Sequence, residues 1–157
     1  MAELESVKIL KQRGLEYRLI ELEEKAISVE DVIRYSKTEI EPEEICKTII
    51  LKDRTGRKYA IFLLSNMRID FNKAKRIIGS KVSVASFDEV LDATGVEPGA
   101  VCPLTLKIPL LIDRGVMSRE RINFGSGNHL YGLEIQTQDL AKIIDYQLVD
   151  AAVRKPE

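Results

Sequence analysis

Among the 157 residues there is no tryptophan, one histidine, two cysteines and five prolines, and aromatics make up only 6%. Each shortage excludes something. A lone imidazole and thiols at 46 and 102 cannot assemble the Cys/His spacing of a zinc site, so no metal and no other cofactor is expected. A disulfide between the two cysteines is open on the sequence but disfavoured in a reducing compartment. No apolar run approaches the roughly 20 residues of a bilayer crossing, which removes a membrane partner. A formal net charge of −1 leaves no broad basic face for gripping long nucleic acid. DNA is therefore excluded as a partner, while contact with one end of an RNA is not. The opening Met-Ala-Glu-Leu-Glu-Ser is acidic and lacks a basic-then-apolar leader pattern, so the cytoplasm is the expected location.

What the chain does contain is 45% apolar and 31% charged residues, the balance of a globular protein. Its length suits one domain spanning 1–157. Helical spacing predicts a first helix over 3–13. Tyr17–Leu22 reads as a strand, and Ser28 with Asp31 resembles a capping box opening a short helix. Pro42 with Glu43 and Glu44 suits one brief helical turn. Residues 47–51 and 59–64 are β-branched and aromatic runs joined by Asp53-Arg54-Thr55-Gly56, a hairpin. Asp70 caps a helix ended by Gly79, Val82–Val84 is a short strand, and Ser86 with Glu89 opens a helix over 87–94. Strands follow at 108–112, 122–124 and 133–137. A last helix around Leu140, Ile143 and Ile144 and a strand at 146–149 come next, with a tail from Arg154 to Glu157 expected to fray. This irregular alternation favours a mixed α/β sheet or barrel over a doubly wound fold.

The stretch Thr94-Gly-Val-Glu-Pro-Gly-Ala-Val-Cys-Pro103 holds two glycines and two prolines in ten residues. It must be a stiff loop whose exposed groups are mainly main-chain N–H and C=O, flanked by small apolar side chains. An ordinary turn is the competing reading. Lys47 opens a strand at the mouth of the core, where it can bind a phosphate or polarise a carbonyl, or simply be a solvated strand end. His129, in a polar Gly/Ser/Asn loop, is a ligand contact or a surface histidine. Ser126 lacks a nucleophile-elbow context. Nothing basic adjoins Cys102 in sequence, which makes it a small lining residue rather than a nucleophile. Lys73, Lys75, Arg76 and Lys81 form a basic cluster, a wet helix face or a phosphate track.

In order and spacing these pieces resemble the YbaK/prolyl-tRNA synthetase-associated family of aminoacyl-tRNA editing domains. The resemblance is carried by Lys47-Thr48 opening a strand, the Asp70–Gly79 helix, and Phe87-Asp88-Glu89-Val90 followed by Thr94-Gly95. Gly99-Ala100-Val101-Cys102-Pro103 matches the family's Gly-x-x-x-Pro loop, followed by Ile112-Asp113, the glycine-rich turn before Leu133, and Asp139-Leu140. It implies a curved, mixed β-barrel-like sheet surrounded by helices, and hydrolysis of a mischarged amino acid from the tRNA 3′ end. It also implies that Gly99 offers main-chain groups to substrate and water and that Lys47 contacts the terminal adenosine or the scissile carbonyl. His129, in His129-Leu130-Tyr131-Gly132, would contact the substrate or tRNA end. Ala100, Val101, Cys102, Pro103 and Ser126 would complete the substrate-binding walls.

The chain departs from the cysteinyl-specific members at Leu22 (a tyrosine there) and Glu134 (an aspartate). It has Thr48 where freestanding alanyl-specific members have asparagine. The expected activity is a freestanding, metal-independent aminoacyl-tRNA hydrolase that removes a small amino acid, alanine first and cysteine second, from tRNA(Pro). Its partners would be the mischarged tRNA 3′ end and prolyl-tRNA synthetase. The alternative is a non-catalytic module that binds a nucleotide or tRNA end without turnover.

Overall fold

The structure, a computed structural model, describes residues 3–155. Its elements follow the apolar pattern. Helix α1 (Glu5–Gln12) buries Val7 and Leu10, and strand β1 (Arg18–Glu21) follows it. Helix α2 (Val29–Tyr35) starts at Ser28, whose hydroxyl accepts the Asp31 N–H. A 3-10 turn at Pro42–Glu44 leads into β2 (Cys46–Asp53) and β3 (Lys58–Leu64). Their hairpin closes because Asp53 Oδ1 accepts from the main chains of Thr55 and Arg57, and Gly56 takes a φ of 87°. Then come β4 (Met67–Ile69), α3 (Phe71–Ile78) capped by Asp70, β5 (Val82–Val84) and α4 (Phe87–Thr94) with a full Ser86/Glu89 capping box. After the 95–103 loop lie β6 (Leu110–Asp113), β7 (Arg121–Gly125) and β8 (Tyr131–Gln136). The chain finishes with α5 (Leu140–Ile143), β9 (Gln147–Val149) and β10 (Ala152–Arg154).

The main sheet has five strands in the order β5-β2-β3-β6-β9, antiparallel through the hairpin and parallel from β3 to β6 and β6 to β9. A three-stranded antiparallel sheet, β1-β8-β7, curls over one face of it. The two meet at a parallel bridge between Ile45 and Asn123, which gives the expected curved mixed arrangement. Between them lies the larger core, where Phe62 meets Phe124 edge to face with centroids 5.7 Å apart. A second core on the opposite face seats Leu51, Ile61 and Leu63 under α3. Burial of each such side chain stabilises the fold by about 1.5–3 kcal/mol.

Three expectations need correction. The strand expected at 108–112 begins only after Pro109, which has no N–H to give a ladder; its carbonyl instead accepts from Ala60. The last helix is a 3-10 turn at Thr137–Asp139 followed by the single α turn of α5. The tail does not fray from Arg154, because β10 pairs antiparallel with β4 and Arg154 lies opposite Met67; Pro156 and Glu157 lie outside the described residues. That pairing is invisible to periodicity, since each partner is three residues long.

Candidate active site

A cavity of about 370 Å³ opens where the two sheets meet. One wall is the edge of β2. Strand β5 covers only Leu51–Asp53, so residues 46–50 have no neighbouring strand on that side. Ile45 accepts from Ser65 and Asp53 donates to Arg57, and antiparallel alternation then turns the main-chain groups of Cys46, Thr48 and Ile50 toward the cavity. The Ile50 carbonyl accepts from Ala85, while the N–H and C=O of Thr48 face the hollow. The Thr48 hydroxyl is buried with no hydrogen-bond partner among the described residues, an unusual state for a polar atom in a folded wall.

The opposite wall is the proline-flanked bend. Glu97 O accepts from the Ala100 N–H, and Gly99 at the tip has a φ of +92°. A Cβ on Gly99 would stand 3.0 Å from the Ile27 carbonyl oxygen, so the position excludes a side chain both by conformation and by space. The floor is β7 and β8, where a Cβ on Gly125 would meet Val101 O at 3.0 Å and one on Gly132 would meet Asn123 Oδ1 at 3.2 Å. Leu22, Ala26 and Val32 add apolar surface from the α2 side.

The expected residues divide. Lys47, Gly99, Val101 and His129 all line the cavity. Ala100, Cys102, Pro103 and Ser126 do not; they pack behind it, each at 2% exposure or less. Burial pushes the Cys102 thiol up to about 12, which leaves it inert at neutral pH. Ser126 spends its hydroxyl on the Tyr131 and Asn128 carbonyls and so fixes the 126–131 turn. Cys46 and Cys102 are both free and buried. Glu134 lies away from the cavity, paired with Arg18 and Arg121, whereas Leu22 is part of its lining.

Two of the lining residues are held in ways the sequence did not reveal. Lys47 borders the cavity, and its ammonium donates to Met67 O at 2.7 Å and Ser65 O at 3.4 Å. Burial, with the Lys155 charge next, lowers its pKa to about 8. His129 Nδ1 sits 2.7 Å from the Ala26 carbonyl, which can only accept, so Nδ1 carries a proton. Its Nε2 faces Glu97 Oε2 at 3.0 Å. Glu97 also binds Lys25, and that contact first, with His129 after it, holds the carboxyl below its ordinary range. The imidazole therefore pins the 26–29 segment to the bend across the cavity rim. Thr48, Gly125 and Gly132 stood in the sequence only as motif positions and Asn123 only inside a strand; the open edge that gives Thr48 its place exists only once β5 is seen to stop short.

Among the described residues no group of three or more His, Cys, Asp or Glu side chains is arranged to hold a metal ion, and no helix is long and apolar enough to cross a membrane. The family model of the aminoacyl-tRNA editing domain matches residues 23–143, most of the chain and all of the cavity lining except Leu22. Among solved structures, the hypothetical protein APE2540 is similar at 29% identity and a TM-score of 0.84, over 95% of this chain and 100% of its own. A candidate trans-editing enzyme for prolyl tRNA synthetase shares the fold at 19% identity and a TM-score of 0.79, over 99% and 100% of the two chains. A scaffold protein used for computational epitope grafting does so at 19% identity and 0.79, over 97% and 96%. The chain thus belongs to the aminoacyl-tRNA editing domain family, the YbaK-like group its motifs resembled.

Proposed function

We propose that the protein is a freestanding, cytoplasmic aminoacyl-tRNA deacylase that hydrolyses a small amino acid, alanine first and cysteine second, from mischarged tRNA(Pro). The observation that carries this reading is the cavity between the side-chain-free bend at Gly99 and the open edge of β2, in a chain of the editing family. An aminoacyl ester is already reactive, so a protein accelerates its hydrolysis by orienting it against a water and by placing donors where charge develops on the carbonyl oxygen. Here the acyl group is taken by apolar walls, and the carbonyl and amine meet main-chain groups of the Gly99 bend and of Thr48. Lys47 swings from Met67 O onto the terminal nucleotide, and no metal or covalent intermediate is needed. A pocket of this kind separates neighbouring small side chains by only ~1–3 kcal/mol per methylene, so steric refusal of larger residues does most of the selection.

One observation favours the second reading, a binding module without turnover. His129 and the Lys47 ammonium both engage protein groups, so neither stands free as a general base. Incubation with tRNAs carrying Ala, Cys, Ser or Pro distinguishes the two. Multiple turnovers on Ala-tRNA(Pro) that fall with Lys47→Ala are the expected result. Saturable binding with no release from any of the tRNAs would leave the binding module standing and the deacylase not. A pull-down with prolyl-tRNA synthetase tests the remaining partner.

A further inference from the structure

A second hollow of about 360 Å³ lies along the same strands, lined in part by Lys52, Arg54, Lys81, Ser83 and Glu89. It adjoins the cavity at the corner between β5 and α4. Ser83 and Glu89 face this groove, and the residues that follow each of them, Val84 and Val90, face the cavity. The corner also displays Phe87 and Val84, both 54% exposed. Along β2, Lys52 stands two residues beyond Ile50, about 7 Å.

Charge differs sharply on the two sides of the mouth. The hairpin segment 52–58 carries four cations and one carboxylate, and that carboxylate, Asp53, is occupied by its own turn, while Glu89 of α4 faces the same groove and pairs with Lys52 and Lys58. The segment 21–44, which supplies Ser28, Val29 and Val32 to the opposite rim, carries nine carboxylates and three cations. A polyanion with one end in the cavity is repelled by the second rim and attracted by the first. An unpaired nucleic-acid strand also seeks aromatic faces on which to stack.

Resting on the editing reading above, we infer that the single-stranded 3′ end of tRNA leaves the cavity over the β5–α4 corner. There it stacks a base on Phe87 and lays its phosphates along Lys52, Arg54 and Lys81, so the acceptor stem approaches from the hairpin side and not over α2. The net charge of −1 is no obstacle, because the basic track is short and local.

Titration of unfractionated, uncharged tRNA at several salt concentrations tests this without relying on catalysis. The double variant Arg54→Glu/Lys81→Glu is expected to bind about tenfold or more weakly and to flatten the log K against log salt slope by about 1–2. Phe87→Ala is expected to lose about fivefold to a hundredfold. The control Arg34→Glu/Lys37→Glu, on the acidic side, is expected to stay within about twofold of wild type. The inference is overturned if the first double variant binds like wild type, if the control loses as much, or if the wild type binds no tRNA. All four charged positions and Phe87 are surface groups, and urea midpoints check that each variant folds. A protein that binds tRNA through this groove but releases no amino acid would sink the deacylase and leave the groove intact. Turnover that ignores the groove variants would do the reverse.

Discussion

At Gly99 conformation and crowding coincide, with a φ of +92° and the Ile27 carbonyl where a Cβ would go. Gly99→Val should cost about 1–3 kcal/mol of stability, read from urea midpoints. It should also cut single-turnover release of alanine by about a hundredfold or more, since it displaces a main-chain donor from the carbonyl. Release that survives the substitution would make the bend a structural hinge only. Thr48 gives the opposite combination. Its hydroxyl has no hydrogen-bond partner among the described residues, so Thr48→Val should leave stability equal or higher while kcat/KM falls about two- to tenfold, the worth of one neutral hydrogen bond. At Lys47 the folded pKa, about 8, lies below the ordinary 10.5. Between those values the unfolded chain binds more protons at this group, so its contribution to stability rises with pH, and below 8 the penalty of burying the charge is felt in full. The wild-type-minus-Lys47→Met stability difference should therefore increase from pH 8 toward 10.5, and a flat difference would contradict the half-buried ammonium. The buried thiols of Cys46 and Cys102, which oppose this trend once an unfolded thiol ionises, cancel in the subtraction. Gly99 was legible in the sequence because prolines and a second glycine surround it. The engagement of Lys47 was not, because Ser65 and Met67 reach it only through the β3–β4 corner.

Among the elements, α4 is the one whose sequence signal and structure agree most fully. Ser86 accepts from the Glu89 N–H and Glu89 returns a bond to the Ser86 N–H, so Ser86→Ala should cost about 1 kcal/mol in a urea unfolding experiment. Glu89 is also held by Lys52, which with the Ser86 contacts lowers its carboxyl to about 2. Its contribution is present above the ordinary 4.5 and is lost as pH falls from there toward 2. Acid unfolding of Glu89→Gln should accordingly lack that part of the wild-type slope. The hairpin and α3 were equally readable, since Asp53, Gly56, Asp70 and Gly79 carry local turn and cap chemistry. The short partners β4 and β10 were not, because three residues make no period and their pairing depends on a contact between distant parts of the chain.

Over the whole molecule, Asp113 ties the late chain to the main sheet. It is almost fully buried, accepting from Ala151 and Ala152 on one oxygen and from Gly115 on the other. Asp113→Ala strands those amides and should destabilise by about 3 kcal/mol in urea, with β10 lost first in hydrogen exchange. If β10 stays protected, the β4–β10 ribbon holds by itself. By itself the sequence determined the mixed α/β class, the hairpin, the capped helices and the rigid bend, because each rests on interactions between residues a few positions apart. Only the tertiary structure decided that β5 stops short and opens the edge of β2. It also decided that His129 bridges Ala26 and Glu97, and that Ala100, Cys102, Pro103 and Ser126 stand behind the wall. Each of these follows from which distant segments meet, and no local propensity encodes that meeting.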